Sequence, residues 1–381
     1  MSAAAKPISV YTGTDFYVPH FDVTVGNRRQ SGAVVRDVMQ VTYKDSLDSV
    51  DSFEMTVNNW DAERRKFKYH DRHLFDPGQP VVVDMGYLGA AGGGVRTMIR
   101  GDITELRVAF PAGGQPTLVV CGLNVLHRFR NEQRAELYKK STYTDIVRKV
   151  CGRHDVPVVA APVRDTVVHE AVKQDNEFDL VFLLRLAQLA GYDLVVTEAE
   201  GEPAVAFGPP SPTAKPTYEL YYGRTLIEFQ PKLSFAHQVD EVAVRGWDPV
   251  KGEAIAVTVG GGALKDKLKR GSANPAKGRK EVVGNHPVRD AQAARELAKA
   301  TLTRIQNEAV TATGSVVGLP DIRAGTLLAV GGVGARFNGR YFVTGTTHTI
   351  GSSGYTTQFE CRLEELSHKT DGESLADGGP P

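Results

Sequence analysis

Hydrophobic and polar residues alternate with a two-residue period through much of the first third of the chain, the signature of strands with one buried face. The run Val81-Val82-Val83-Asp84-Met85-Gly86-Tyr87 is rich in β-branched residues and follows a turn at Asp76-Pro77-Gly78. A glycine-rich reversal from Gly89 to Gly94 leads into Met98-Ile99-Arg100-Gly101-Asp102-Ile103, after which apolar residues fall at Leu106, Val108 and Phe110. The change of parity between Ile103 and Leu106 predicts a β-bulge there. Thr117 to Leu123 reads as a further strand, entered through Gly113-Gly114-Gln115-Pro116.

The middle of the chain changes period. Thr142-Tyr143-Thr144-Asp145 has the form of a capping box and predicts a helix through Ile146, Val147, Val150 and Cys151, stopped at Gly152. A second helix is expected to begin near Asp175-Asn176-Glu177 and to run through Phe178, Val181, Phe182, Leu183, Leu186, Ala187 and Ala190 to a stop at Gly191. Its apolar residues surround most of the circumference, which predicts burial on several sides.

Strand patterning resumes at Leu226, with Val239, Val242 and Val244 leading to Trp247-Asp248. Residues 259–281 are rich in glycine and lysine and read as a loop. Pro287 opens a third helix with Ala291, Ala294, Ala298, Leu302 and Ile305 along one stripe. Strands return from Thr326 to Leu363, with a hairpin at Gly331-Gly332-Val333-Gly334 and a turn at Asn338-Gly339. The tail after Glu365 is polar and is expected to be disordered.

Two stretches share an order of elements. One reads Gly78, strand 80–86, hairpin, Gly101, strand 102–110, strand 117–123; the other reads Gly325, strand 326–331, hairpin, Gly339, strand 341–349, strand 356–363. Residue identity between them is poor, and two unrelated antiparallel meanders would read the same way. If the duplication is real, the chain holds two similar small barrels, and three copies present six of them in a ring closed by heterologous contacts.

Composition narrows the function more than the fold. The 381 residues carry 45 lysines and arginines against 45 aspartates and glutamates, so no global field attracts nucleic acid or an anionic membrane. Three dispersed cysteines, Cys121, Cys151 and Cys361, fit a reduced chain better than a disulfide framework or a zinc site. The N-terminal residues lack the apolar core of a signal peptide, and no apolar run is long enough to span a bilayer. Folding in the bacterial cytoplasm is the reading that follows, without membrane insertion of the chain's own.

Gln174-Asp175-Asn176-Glu177-Phe178-Asp179-Leu180-Val181-Phe182-Leu183-Leu184-Arg185-Leu186-Ala187, ending near Gly191-Tyr192, resembles a recurrent segment of the phage late control gene D family, with Phe178 where that family carries a small hydroxyl residue. A second block is similar to the same family. It runs from Asp290 to Leu302, through Gly318-Leu319-Pro320-Asp321-Ile322-Arg323-Ala324-Gly325 and Phe337-Asn338-Gly339-Arg340-Tyr341-Phe342-Val343, to His348. The family includes contractile-phage baseplate hubs and is related to the N-terminal part of type VI valine–glycine-repeat spike proteins. The resemblance implies a homotrimeric hub whose paired barrels form a pseudo-sixfold ring between an inner tube, or tube-initiator protein, and a spike. Baseplate wedge and tape-measure proteins are further implied partners. With the chain ending soon after its last strand, the spike is expected to be a separate polypeptide.

The resemblance and the patterning together give a β-rich α+β architecture in which two small antiparallel β-barrels bracket an α/β segment. The expected division is a first tube-like domain over 1–134, an α/β domain over 135–215, a second tube-like domain over 216–365 with an insertion at 259–309, and a tail over 366–381. The motif residues Gln174, Glu177, Asp179, Phe182, Leu183, Leu186, Ala187, Gly191, Pro320, Gly325, Gly339, Tyr341 and His348 are read as structural, and no cofactor, metal ligand or catalytic residue is assigned. His348 lacks partners at metal-ligand spacing and reads as a satisfied strand histidine. Cys151 and His154 resemble a nucleophilic pair only in type, because three-residue spacing at a helix end does not fix their geometry. Lys265, Lys267, Lys269, Arg270, Lys277, Arg279 and Lys280 form a basic stretch without aromatic residues, a solvated loop rather than a nucleic-acid site. P-loop, G-x-S-x-G and H-E-x-x-H motifs are absent from the sequence. The expectation is a structural hub of a phage tail, tailocin or extracellular injection system. The alternatives are an envelope-degrading hydrolase or a toxin-bearing spike component of the same machine.

Overall fold

The computed structural model describes residues 8–9, 18–88, 94–159, 167–209, 216–248, 251–260, 277–284, 288 and 291–366. The reversal expected over 89–94 lies outside them apart from Gly94, as do residues 261–276 of the basic stretch, Pro287 and the tail from 367.

The chain opens with β1 (Ile8–Ser9), β2 (Pro19–Val25), β3 (Arg28–Arg29), a short α1 (Gly32–Asp37), β4 (Val38–Ser46) and β5 (Ser52–Asn58). There follow β6 (Trp60–Asp61), β7 (Lys66–Phe67), β8 (Pro80–Tyr87), β9 (Arg96–Ala109) and β10 (Thr117–Asn124). The middle contributes β11 (Gln133–Ser141), α2 (Tyr143–Gly152), β12 (Val158–Val159), β13 (His169–Phe178), α3 (Asp179–Ala190), β14 (Asp193–Ala199) and β15 (Glu202–Gly208). Next come β16 (Tyr218–Tyr221), β17 (Leu226–Leu233), β18 (Glu241–Asp248), β19 (Glu253–Gly260), β20 (Lys280–Val283) and α4 (Ala291–Asn307). The chain closes with β21 (Val310–Val317), β22 (Leu327–Gly331), β23 (Gly339–Gly351) and β24 (Gly354–Leu366).

Two sets of strands have the same order. The first runs β4-β5-β10-β9-β8-β2 and the second β17-β21-β24-β23-β22-β16. Every neighbour pair is antiparallel in both sets except the last, where β2 runs antiparallel to β8 and β16 parallel to β22. Two of the irregularities coincide as well. The β4–β5 ladder skips Met39 between Val38 and Gln40, and β17–β21 skips Ile227 between Leu226 and Glu228. The β9–β10 ladder skips Thr104 between Ile103 and Glu105, the bulge expected from the parity change, and β23–β24 skips Thr344 between Val343 and Gly345.

The entrance to each set is built alike. Gln79 N–H donates to Asp76 C=O at 3.2 Å and Thr326 N–H to Arg323 C=O at 3.1 Å, closing turns whose third residues, Gly78 and Gly325, have φ of 90° and 88°. That backbone is the one a type II turn needs and a side chain resists. Gly78 N–H then donates to Ile103 C=O at 2.7 Å, as Gly325 N–H does to Val343 C=O at 2.9 Å. Ile103 N–H and Val343 N–H return bonds to Gln79 and Thr326. Gly101 and Gly339, which look equivalent in the sequence, are not. The ladders pair Gly101 with Val81 and Tyr341 with Leu328, which places Gly339 two residues earlier, opposite Val330 as Ile99 is opposite Val83.

The two sets are joined edge to edge, because β23 pairs with β4 from Gly345↔Ser46 to Ile350↔Val41 and makes them one 14-stranded sheet. Each keeps its own core. One includes Val41, Tyr43, Phe53, Val57 and Ile103, and the other Val316, Leu328, Tyr341, Val343 and Phe359. Three further features bear on how the chain is organised. Ile8–Ser9 pairs with Tyr218–Glu219 of the second set. The middle core includes Val125, Leu126 and Phe129. Between β17 and β21, the strands β18, β19 and β20 form their own sheet, against which α4 packs Ala294, Leu297, Ala298 and Leu302.

The middle segment is a helical layer on short sheets. Thr142 caps α2 by accepting from Asp145 N–H at 3.1 Å, and the helix buries Ile146, Val147, Val150 and Cys151. The helix expected from residue 175 begins at Asp179 instead. Residues 175–178 complete β13, which stays paired with β11 through Phe178↔Gln133. The extra residue of the bulge there is Asn176, at φ 50°, a conformation asparagine tolerates better than most. Tertiary pairing outweighs the helical pattern at this point. At the other end Gly191 takes the left-handed cap at φ 67°, and a Cβ there would come 3.0 Å from Ala300 Cβ of α4.

Candidate functional site

The motif residues of the middle segment converge on one carboxylate. Asp179, 2% exposed at the start of α3, accepts from Arg153 Nη1 at 3.1 Å and Gln174 Nε2 at 2.8 Å, and lies 2.9 Å from His154 Nε2. Gln174 also donates to the Glu177 carbonyl at 3.1 Å, holding the end of β13 against the helix start. Arg153 Nη2 reaches Tyr138 Oη at 2.7 Å and ion-pairs with Glu136, whose other oxygen takes Lys149 Nζ at 2.6 Å. Glu177 ion-pairs with Arg185, which donates to Lys173 C=O at 2.8 Å. A buried carboxylate is tolerated only when its oxygens are satisfied in this way. Phe182, Leu183, Leu186 and Ala187 project from α3 into the middle core, while Val181 is exposed. The arrangement is a clamp that locks a strand-to-helix corner.

Cys151 and His154 do not face each other as nucleophile and base. Burial, with the Asp179 charge second, pushes the Cys151 thiol up to about 12. The His154 ring stacks on Phe129 at 3.9 Å between centroids, and its Nε2 is engaged by Asp179.

The second motif block builds the junction between the strand sets. His348 is fully buried in β23. Its Nε2 lies 2.9 Å from Ile322 C=O, which fixes the proton on that nitrogen, and Nδ1 lies 3.0 Å from both Tyr355 Oη and Thr357 Oγ1. Thr357 in turn accepts from Leu319 N–H at 2.9 Å. The loop carrying Pro320 and Gly325 is thus tied to the sheet. Tyr341 donates its hydroxyl to Phe337 C=O at 2.7 Å, and a Cβ on Gly339 would stand 2.3 Å from the Glu365 carbonyl oxygen.

Arg323, which the motif spacing does not single out, crosses from that loop to the first set. Its Nε donates to Asp45 Oδ2 at 2.7 Å and Nη2 to Met98 C=O at 2.9 Å, while its guanidinium lies over the Tyr43 ring at 4.6 Å and bonds the Tyr43 hydroxyl. Asp45 also takes Ala324 N–H at 3.2 Å and the Thr346 hydroxyl. Burial, with the Asp45 charge second, pushes the neighbouring Asp51 up to about 7. Asp45 and Arg323 are 278 residues apart, so only the fold brings this pair into view.

A groove of about 1550 Å³ runs between α3, α4 and the outer face of β21 and β24, bordered by Lys173, Arg185, Asp193, Lys232, Glu296 and Arg362. Burial is the main cause that pushes Asp193 up to about 6, opposed by Arg362. Among the described residues, no three histidine, cysteine or acidic side chains are grouped to hold a metal ion. Of the basic stretch, Arg279 donates to Phe235 C=O at 3.0 Å and Lys280 lies 3.4 Å from Glu241. No helix among the described residues is long and apolar enough to cross a membrane.

Known structures share this fold. The 43 kDa tail protein of prophage MuSo2 from Shewanella oneidensis matches with a TM-score of 0.67 at 14% identity, covering 90% of this chain and 98% of its own. A tail protein from Neisseria meningitidis MC58 gives 0.68 at 14%, covering 91% and 97%. An Escherichia coli component of the type VI secretion system, described as structurally similar to the T4 bacteriophage tail proteins gp27 and gp5, gives 0.57 at 15%, covering 92% and 79%. No curated protein matches the sequence significantly. One family model, described as the Alg8 N-terminal domain, matches residues 20–352. That description differs from the resemblance carried by the two motif blocks, and the match spans both strand sets and the segment between them. The chain belongs to the Alg8 N-terminal domain family.

Proposed function

We propose that the chain is a structural hub subunit of a contractile injection machine, related to the late control gene D proteins. Three copies form a pseudo-sixfold ring that joins an inner tube, or its initiator protein, to a spike, with wedge and tape-measure proteins as further neighbours. The observation that carries this reading is the repeated module: two strand sets of one order, with the same two bulges and the same glycine clasp. A polypeptide with two such modules offers two near-equivalent seats, and three copies offer six, which is how a threefold object meets a sixfold one. The tail and type VI proteins that share the fold support the same reading.

The polar clusters support a mechanical rather than a catalytic role. The carboxylates Asp179 and Asp45 are each consumed by arginine and amide donors, and Cys151 is held as a thiol. Native mass spectrometry of the purified chain tests the proposal, with a trimer as the expected result. A stable monomer at high concentration would sink it, and turnover of purified cell wall by the isolated protein would favour an envelope-degrading hydrolase.

A further inference from the structure

The repeat makes a specific demand on the edges of the sheet. Within the chain, β4 of the first module covers residues 345–350 of β23 in the second, and Leu47 N–H extends the ladder to Thr344 C=O at 3.0 Å. By the shared registers, β4 corresponds to β17 and the 344–350 edge corresponds to residues 104–110 at the end of β9. Among the described residues neither counterpart has a strand paired to its open side, although the Phe110 ring meets Phe67 and His70 edge-on. The β8–β9 ladder stops at Asp102, and among the described residues β17 forms a ladder with β21 alone. Two unpaired edges of this kind are the parts of a sheet that recruit another chain.

Burial follows the same division. In β23 the covered residues Thr346, His348 and Ile350 are buried. Their counterparts Leu106, Val108 and Phe110 are half-buried or exposed, Phe110 to 62%. The second edge carries Phe229, Pro231 and Leu233 where β4 carries Val41, Tyr43 and Asp45.

We infer that β17 of one copy adds to the 104–110 edge of β9 in a second copy, antiparallel and in the register that β4 uses on β23. This rests on the hub reading and supplies its missing contact, so that six modules are joined by one kind of strand pairing, alternately within and between chains. The register sets Phe229 opposite Phe110, Pro231 opposite Val108 and Leu233 opposite Leu106, three apolar cross-strand pairs on one face. On the other face Gln230 meets Ala109 and Lys232 meets Arg107, whose guanidinium is already engaged by Glu54 at 2.7 Å. Backbone polarity agrees with the pairing. Ser234 N–H donates to Ala309 C=O on the β21 side, so Phe229 and Leu233 present their N–H groups outward. Pro231 leaves one rung without a donor, which an edge strand accommodates.

Cysteine pairs test the register. Gln230 and Ala109 are exposed and fall at a facing pair without mutual backbone bonds, where the side chains come closest. The double variant Q230C/A109C should link on mild oxidation into covalent dimers and trimers on a non-reducing gel. The three native cysteines are buried and stay out of the reaction. The counterpart pair T42C/T349C should close within one chain and calibrates the geometry. An out-of-register partner, Q230C/R107C, should remain largely unlinked. A second variant, V108P, removes an outward donor from the β9 edge and should yield a folded monomer by circular dichroism and native mass. A wild-type monomer would overturn both the hub and this interface. A wild-type trimer in which Q230C/A109C fails to link, or in which V108P still assembles, would overturn the strand pairing alone.

Discussion

His348 shows how one residue carries two structural duties and a pH dependence. It is neutral in the fold because burial lowers its pKa to about 4, with Asp45 opposing that effect and the Arg323 charge adding to it. Its Nε2 proton holds the Ile322 carbonyl, so the loop that delivers Arg323 to Asp45 hangs on this ring. In the unfolded chain the ring protonates near its ordinary value of about 6.5. The folded pKa lies below the unfolded one, so the stability from the neutral ring is complete above about pH 6.5 and is lost as the pH falls towards 4. The difference corresponds to about 3 kcal/mol. Asp51 acts with the opposite sign, since its folded pKa of about 7 favours the protonated fold and weakens it as the pH rises through that value. Urea denaturation of the wild type and of His348→Gln across this range separates the two. The wild type should lose stability relative to the variant on acidification, and parallel curves would show that His348 is not the group responsible.

The turns before β8 and β22 are equivalent elements of the two modules, and their equivalence can be measured. A Cβ at Gly78 would meet no heavy atom within 4 Å, and at Gly325 the nearest is Val195 Cγ2 at 3.6 Å. Space is therefore no obstacle at either site, and the cost of alanine comes from φ near +90°. G78A and G325A should each lose about 1–2 kcal/mol of stability in denaturant titrations. A large loss at one site and none at the other would mean that the two clasps are not doing the same job. The turn glycines, the strands they precede and the bulge after Ile103 were legible in the sequence, because each leaves a local signal in residue type or parity. The end of β13 was not, because the choice between strand and helix over 175–178 is made by the partner strand β11. The false match of Gly101 with Gly339 has the same origin, since registers are set across strands rather than along them. The clamp around Asp179 was visible as a motif, but the direction of its bonds was not. Arg153 and Glu136 enter it from segments the motif does not include.

At the scale of the whole molecule, two modules that repeat one plan need not behave as two bodies. The arrangement of β23 argues that they do not. Its first half pairs with β22 and carries Tyr341 and Val343 into the second core, while its second half pairs with β4 and carries Ile350 into the first. The Arg323–Asp45 pair fastens the same seam from the loop side. Neither the shared strand nor the pair was readable from residue order alone, which shows two meanders and no measure of the join. Arg323→Ala strands the Asp45 carboxylate among its remaining donors, Ala324 N–H and the Thr346 hydroxyl. Breaking a buried pair in this way costs about 3 kcal/mol. The ladder between β4 and β23 survives the change, so the loss should be shared by both modules. Denaturant-dependent hydrogen exchange reads this directly, since peptides from β10 and β24 report the two cores separately. In the wild type both sets should open at the same denaturant concentration, and in Arg323→Ala both should open together at a lower one. If β24 opened well before β10 in either protein, the seam would be a linker and the two modules would be independent bodies.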